Sequence, residues 1–402
     1  MSEHRYDYVI VGGGLAGVSA IDGIRERDHG GSILLVGNEG YMPYDRPPLS
    51  KKLWLGQKRV EEIFIHDKGY FKDKGVETVF CTDVVKLDVA AKTIACKKGA
   101  SAREFGKLLL ATGGKPRKLP IPGGDLDGIS YFRTLDDYIA LRRTAEPGKS
   151  AVVIGGGFIG SEMAAALAQN QVRVTMVFPE EYVVSRVFPK SLALAIQAHY
   201  VERGVNVLAG DAPTEIEKNG GVFVTITRNG ARLESDVLVV GIGIAPADDL
   251  AKDAGLAVEN GVVVNEFLEA SHPDVYAAGD VALFPYQALG RSMRVEHWDN
   301  AAVQGKYAGR NMAGAREAYT HMPYFFSDLF EFGYEAVGEV DSRLDTFCDW
   351  QEENEKGVVY YLKDGKVRGA MMVNVWDEVE AAREMIRSGA TIGREDLAGA
   401  IG

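Results

Sequence analysis

The chain has 402 residues, of which 46% are hydrophobic and 25% charged, and its formal net charge is −12. That length exceeds one ordinary core and points to two or three domains, while the acidic balance, with no basic run of Lys and Arg, argues against nucleic-acid binding. No apolar run is long enough to cross a membrane, Met1–Asp7 lacks the basic start and apolar stretch of a secretory signal, and the C-terminus shows no prenylation signal, so a cytoplasmic protein without membrane association is expected.

Tyr6–Val11 is a short apolar run that ends in Gly12-Gly13-Gly14, and an apolar helical pattern follows from Leu15 to about Arg25. Ser32–Val36 reads as a second buried strand. Strand, glycine turn, helix and strand open a parallel sheet. The same order returns at Ala151–Ile154, Gly155-Gly156-Gly157, Phe158 to about Gln169, and Val172–Phe178. One module is therefore used twice. Pro116, Pro120 and Pro122 with Gly123-Gly124 form a linker after the strand Leu108–Ala111, and Gly241–Pro246 forms a matching one. These breaks predict a first domain at 1–115 and 246–321 with a second, 116–245, inserted into it. Beyond residue 321 the texture changes. Val358–Leu362 and Val367–Val375 flank the turn Lys363–Lys366, and Glu378–Arg387 is helical, which predicts a C-terminal α+β domain at 322–402. The fold expected is α/β: two Rossmann-like dinucleotide-binding domains, one inserted in the other, plus this small α+β domain.

Gly12, Gly14 and Gly17 match GxGxxG between a strand and a helix, and Glu39 follows just beyond the next strand. The first glycine makes the turn, the second admits a pyrophosphate and the third lets helix and strand pack; the helix N-terminus supplies unpaired N–H groups. Glu39 is placed to accept from a ribose. Gly155, Gly157 and Gly160 repeat the match, but Phe178 stands where the acid usually ends the strand, and Glu180 follows two residues later. A carboxylate there favours NADH over NADPH, while the nearby Arg186 keeps the 2′-phosphate reading open.

Tyr44-Asp45-Arg46-Pro47-Pro48-Leu49-Ser50-Lys51, Ala111-Thr112-Gly113, Arg133-Thr134 and Ala278-Gly279-Asp280 resemble motifs of the NADH-dependent ferredoxin reductase and apoptosis-inducing factor family of FAD-dependent pyridine nucleotide oxidoreductases. Phe178-Pro179-Glu180, Arg294-Val295-Glu296-His297, Phe326-Ser327-Asp328-Leu329 and Gly333-Tyr334-Glu335-Ala336 resemble the nicotinamide-binding segments of apoptosis-inducing factor. The resemblance covers essentially the whole chain. It implies that the first cradle holds FAD and the second NADH. It also implies that Arg46 pairs with the FAD pyrophosphate, Arg133 contacts the adenosine half and Asp280 holds the ribityl chain. By the same resemblance Glu180 binds the adenine ribose with Arg186 as a basic contact, and Glu296, His297 and Glu335 lie near nicotinamide and flavin. Gly243 joins the cofactor contacts. Trp298 is expected against the flavin edge. Phe326 stands where the family commonly has Trp; Phe can stack but has no indole N–H.

The resemblance further places Lys51 beside the flavin N5 edge, paired with Glu162 from the first turn of the second-motif helix. A cation there stabilises the charge that develops as hydride arrives. Lys51, Glu162 and His297 are the candidate catalytic residues. Cys81, Cys96 and Cys348 show no CxxC spacing, so neither a dithiol relay nor a metal site is expected. Where glutathione-reductase-like relatives relay electrons through a dithiol, the resemblance here implies direct exit of electrons to a one-electron carrier, an iron–sulfur ferredoxin or a rubredoxin; a monomer or homodimer is expected. Arg291, Arg294, Lys306 and Arg310 are the cations considered for docking it. The alternative is a slow, redox-responsive binding protein like apoptosis-inducing factor, with a long-lived complex of reduced flavin and NAD⁺ and NADH-dependent dimerisation. An NADH oxidase ranks third, because no cysteine opens the first helix.

Overall fold

The computed structural model describes residues 5–97 and 102–402, which cluster into two compact units. One comprises Met1–Asp45, Glu61–Lys115 and Ala245–Pro323. Its parallel strands run in the order Val76–Val79, Ile33–Val36, Arg5–Val11 and Arg103–Leu110. The last of these changes partners along its length. Its first residues pair antiparallel with Thr93–Cys96, and its final ones pair parallel with Val275–Ala277. Val9, Ile10, Leu34, Leu35, Leu108 and Leu109 are fully buried. Both faces of this sheet are therefore covered, which is why its strands read as continuous apolar runs rather than alternating ones. The helix Leu15–Arg25 packs on Trp298–Met312 at backbone distance. A Cβ at Gly305 would stand 2.2 Å from Ala16 O and one at Gly309 2.1 Å from Ala20 O.

The other unit comprises Arg46–Val60, Pro116–Ile244 and Tyr324–Gly402. A second parallel sheet has the order Asn206–Ala209, Arg173–Phe178, Ser150–Ile154, Val237–Val240. A three-stranded antiparallel sheet, Pro213–Asn219, Val222–Thr227 and Arg232–Ser235, shares its core through Ile216 and Phe223 packed with Val152 and Leu238. The C-terminal stretch forms a five-stranded antiparallel sheet in the order Tyr324–Leu329, Phe332–Gly338, Lys366–Val373, Lys356–Lys363, Asp345–Glu352. Asp364 and Gly365 turn its central hairpin with φ of 54° and 71°, the positive pair that a two-residue turn between twisted strands requires. The helix Val379–Ser388 covers this sheet with Ala382 and Ile386 buried. The architecture is the α/β fold read from the sequence, with two Rossmann-like sheets and an α+β C-terminal part.

Candidate functional site

The first cradle is built by sterics. Gly12 sits at φ +124° where its N–H donates to Val36 O at 2.8 Å, and a Cβ there would lie 2.1 Å from Ala111 O. A Cβ at Gly17 would lie 2.1 Å from Gly12 O, so the helix can approach the turn only as glycine. Gly14, the N-cap, has no side-chain cap and nothing within 4 Å of where its Cβ would be. Tight below and open above, with helix N–H groups unclaimed by any cap, the turn fits a pyrophosphate. Glu39 is half-buried, three residues beyond the neighbouring strand, and accepts from Tyr44 OH.

The same unit holds Asp280, Glu296, His297 and Trp298. Asp280 lies in a single 3-10 turn, Gly279–Val281, fixed by Gly279 N–H donating to the buried Gln304 Oε1 at 2.7 Å and by Arg294 Nη1 donating to Asp280 O at 2.9 Å. Arg294 also pairs with Glu296 at 2.7 Å. His297 is the N-cap residue of the Trp298–Met312 helix. Its Nδ1 is sealed from solvent, and burial outweighs the nearby Asp280 and Asp299 carboxylates to push its pKa down to about 4. The folded value lies below the ordinary 6.5, so the unfolded chain binds this proton first. Stability present above pH 6.5 is therefore expected to fall as pH drops toward 4, by on the order of 2 kcal/mol after discounting for the ring's partly exposed residue surface. Thermal unfolding across that range should show the loss in the wild type and a flatter profile in His297→Gln. Trp298 is exposed, and its Nε1 donates to Asp45 Oδ1 at 2.8 Å. The cations considered for docking are largely neutralised within this unit. Lys306 and Arg310 pair with Glu26, Arg310 also pairs with Glu317, and the Arg294 side chain is 8% exposed.

The other unit repeats the cradle nearly atom for atom. Gly155 has φ +118° and would meet Gly241 O at 2.3 Å; Gly160 would meet Gly155 O at 1.9 Å; Gly157 is uncapped and open. The departure at Phe178 has a physical cause. Its fully buried ring lies on Gly156, within 2.7 Å of a Cβ built there, so the strand end is used for packing and the acid moves outward. Glu180 stands 3.8 Å from the exposed Arg186 guanidinium. Gly243, at φ +90° with open space around it, has its carbonyl held by Arg117 N–H at 3.0 Å. Arg46 Nη1 donates to Arg133 O at 2.8 Å, which places those two together.

Lys51 and Glu162 meet as a buried ion pair, Nζ to Oε1 3.1 Å, with side chains 10% and 8% exposed. Glu162 reaches this position because it lies one turn into the Phe158–Gln169 helix. Two hydroxyls complete its shell. Ser327 Oγ donates to Oε1 at 2.5 Å and Ser50 Oγ to Oε2 at 2.6 Å. Neither serine was singled out from the sequence as a site residue, although each adjoins one that was. Lys51 Nζ also sits 5.1 Å from the centroid of the Phe326 ring, which is 37% exposed. Glu335 faces Phe326 across the strand pair; its Oε2 is buried without a hydrogen-bond partner, and burial, then the Asp377 charge, raises its pKa. Cys81, Cys96 and Cys348 form no disulfide, and no His/Cys/Asp/Glu cluster suited to a metal occurs among the described residues. No helix among them is long and apolar enough to cross a membrane.

Two pyrophosphate cradles and a buried Lys–Glu pair define a flavoprotein reductase that uses FAD and NAD(H). The chain belongs to the pyridine nucleotide-disulphide oxidoreductase family, which matches residues 6–305, and residues 308–353 and 348–388 match the C-terminal domain of mitochondrion-associated apoptosis-inducing factor. It is 34% identical to apoptosis-inducing factor 1 of Dictyostelium discoideum over 98% of this chain and 80% of that one. It is 35% identical to monodehydroascorbate reductase 2 of Arabidopsis thaliana over 92% of this chain and 91% of that one. Among solved structures, putidaredoxin reductase in its covalent complex with putidaredoxin superposes with a TM-score of 0.91 at 30% identity, covering 99% of this chain and 96% of that one. The ferredoxin reductase for the CYP199A2 system of Rhodopseudomonas palustris gives 0.91 at 29% identity, covering 97% and 96%.

Proposed function

We propose that this flavoprotein passes electrons from NADH through FAD to a one-electron protein carrier, an iron–sulfur ferredoxin or a rubredoxin. The observation that carries the choice of acceptor is the whole-chain likeness to a reductase captured with its protein partner, putidaredoxin. The absence of CxxC spacing among Cys81, Cys96 and Cys348 supports it. FAD, when bound, takes a hydride equivalent from NADH and releases electrons one at a time. In this reading Gly12, Gly14 and Gly17 receive its pyrophosphate, with Glu39, Arg46, Arg133 and Asp280 as further contacts. Gly155, Gly157, Gly160 and Gly243 receive the nicotinamide dinucleotide, and Glu180 accepts from its ribose while Arg186 flanks it. By the resemblance, Phe326 and Glu335 in one unit, and Glu296, His297 and Trp298 in the other, are further cofactor contacts. Lys51, held by Glu162, supplies the positive charge that favours reduced flavin.

The match of residues 308–388 to the apoptosis-inducing factor C-terminal domain favours a second reading, a slow redox switch that changes assembly on reduction. The purified yellow protein should be mixed anaerobically with NADH, then NADPH, in a stopped-flow instrument, and carrier reduction should be followed with a [2Fe–2S] ferredoxin, a rubredoxin and the monodehydroascorbate radical. Fast bleaching with NADH, and carrier reduction well above the rate to oxygen, is the expected result. Slow bleaching, a long-wavelength band that persists in air and NADH-dependent dimerisation on gel filtration would replace it with the switch.

A further inference from the structure

A cavity of about 360 Å³ reaches Glu162 from the side of its helix that faces the 50–57 segment. Its floor is buried: Ser50, Glu162, Ala165 and Ala166. Its mouth is exposed, with Lys52, Gln57, Gln169 and Asp328 around it. Two alanines at 165 and 166, where larger residues would close the space, leave it open. The carboxylate therefore has two sides. Oε1 takes Lys51 Nζ and Ser327 Oγ, whereas Oε2 takes Ser50 Oγ, the hydroxyl on the cavity floor.

We propose that this cavity is a water port through which Glu162 exchanges protons with bulk solvent. The inference rests on the one-electron-carrier reading. When one NADH reduces two one-electron carriers, the products are NAD⁺, two reduced carriers and one proton, and carriers that take electrons alone leave that proton with the enzyme. Glu162 Oε1 accepts a proton from Lys51 Nζ and gives that same proton to cavity water, returning to the carboxylate, while Lys51 takes up the proton left by carrier reduction and is an ammonium again. Ser327 is a positioning residue that keeps Oε1 on the Lys51 side. The charged and titratable groups around the path are Lys51, Lys52 and Asp328. Tyr200 and Tyr334, fully buried near Glu162, have pKa values raised well above the ordinary range by burial and keep their protons.

The test is chemical rescue. Glu162→Ala leaves a carboxylate-sized gap lined by the Ser50 and Ser327 hydroxyls and the Lys51 ammonium, donors suited to formate. In the FAD-loaded variant, NADH-driven reduction of ferricyanide, which takes one electron and no proton, should fall by about 100-fold, the scale of a lost acid–base group. Formate should restore it saturably, acetate less, and chloride not at all. Formate binding should also appear in calorimetry and as a perturbation of the flavin absorption band. Adding Ala166→Leu, or Gln169→Trp at the exposed mouth should the first disturb folding, should abolish rescue and formate binding together. Absence of rescue, or rescue undiminished in both plugged variants that retain FAD and thermal midpoint, overturns the port. Because ferricyanide replaces the protein carrier, those results are independent of whether ferredoxin and rubredoxin are reduced, which tests the function itself.

Discussion

Gly17→Ala is expected to yield protein that is colourless or insoluble, whereas Gly14→Ala should fold normally and lose flavin. The two positions are three residues apart on one motif, and the geometry separates them. At Gly17 the added methyl would lie 2.1 Å from Gly12 O and 3.2 Å from Ile10 Cγ2, so the helix Leu15–Arg25 would have to leave its strand. That helix is pinned on its other side by Trp298–Met312, where Gly305 and Gly309 admit no slack. Overpacking of a yielding core costs about 1–3 kcal/mol, and a clash between two backbones has no rotamer to relieve it, so the loss should exceed that range. At Gly14 the methyl would meet no protein atom within 4 Å. It would enter the space that a pyrophosphate needs, so apoprotein stability should stay within about 0.5 kcal/mol of wild type, as for a harmless surface change, while flavin retention falls. The ratio of flavin to protein absorbance after purification, with thermal unfolding of the flavin-free forms, checks both. Equal behaviour of the two variants would sink the assignment of separate tasks to the two glycines.

Much of this was legible before any coordinates because the determinants are local. A glycine turn between an apolar strand and helix specifies its own geometry within a few residues, and it did so twice. The hairpin at Asp364-Gly365 is the same kind of signal. The Lys51–Glu162 contact was legible only by resemblance, since 111 positions separate the partners and no periodicity joins them. The rest depended on long-range placement. Ser327 approaches Glu162 from a strand 165 residues later, and a serine beside an aromatic in a short motif looks like any other. The same limit applies to the Arg46–Val60 segment, whose packing partners lie after residue 116. The shift of the acid from Phe178 to Glu180 was visible as a departure, but its cause, an aromatic ring lying on Gly156, is a packing fact. The cations at 294, 306 and 310 show the converse. They were candidates for docking a carrier with no shared face legible in the sequence, and carboxylates on Glu26, Glu296 and Glu317 pair with them.

Lys51→Met should reduce the rate of flavin reduction by NADH by about 10²–10³-fold, the usual loss when a preorganised electrostatic group is removed from a low-dielectric site. The side chain is 10% exposed and its Nζ lies 3.1 Å from Glu162 Oε1, close enough for a gross attraction of about 5 kcal/mol at an effective dielectric near 20. Breaking such a pair by removing one member usually destabilises by about 3–5 kcal/mol, because the other charge stays buried. Here Glu162 retains two hydroxyl donors, Ser50 at 2.6 Å and Ser327 at 2.5 Å, so the structural loss should sit at or below the bottom of that range. The two effects can be separated. In Lys51→Met/Glu162→Gln the buried charges are both gone, so stability should recover while the rate stays low, and a rate that recovered with stability would mean that Lys51 acts on folding alone. The flavin midpoint potential should fall in Lys51→Met, whose lost cation leaves Glu162 uncompensated, and rise in Glu162→Gln, where Lys51 stands unopposed. A tenfold shift in the reduction equilibrium corresponds to about 30 mV for two electrons. Opposite shifts are what a charge acting on the cofactor requires, and a pair that served packing only would move neither.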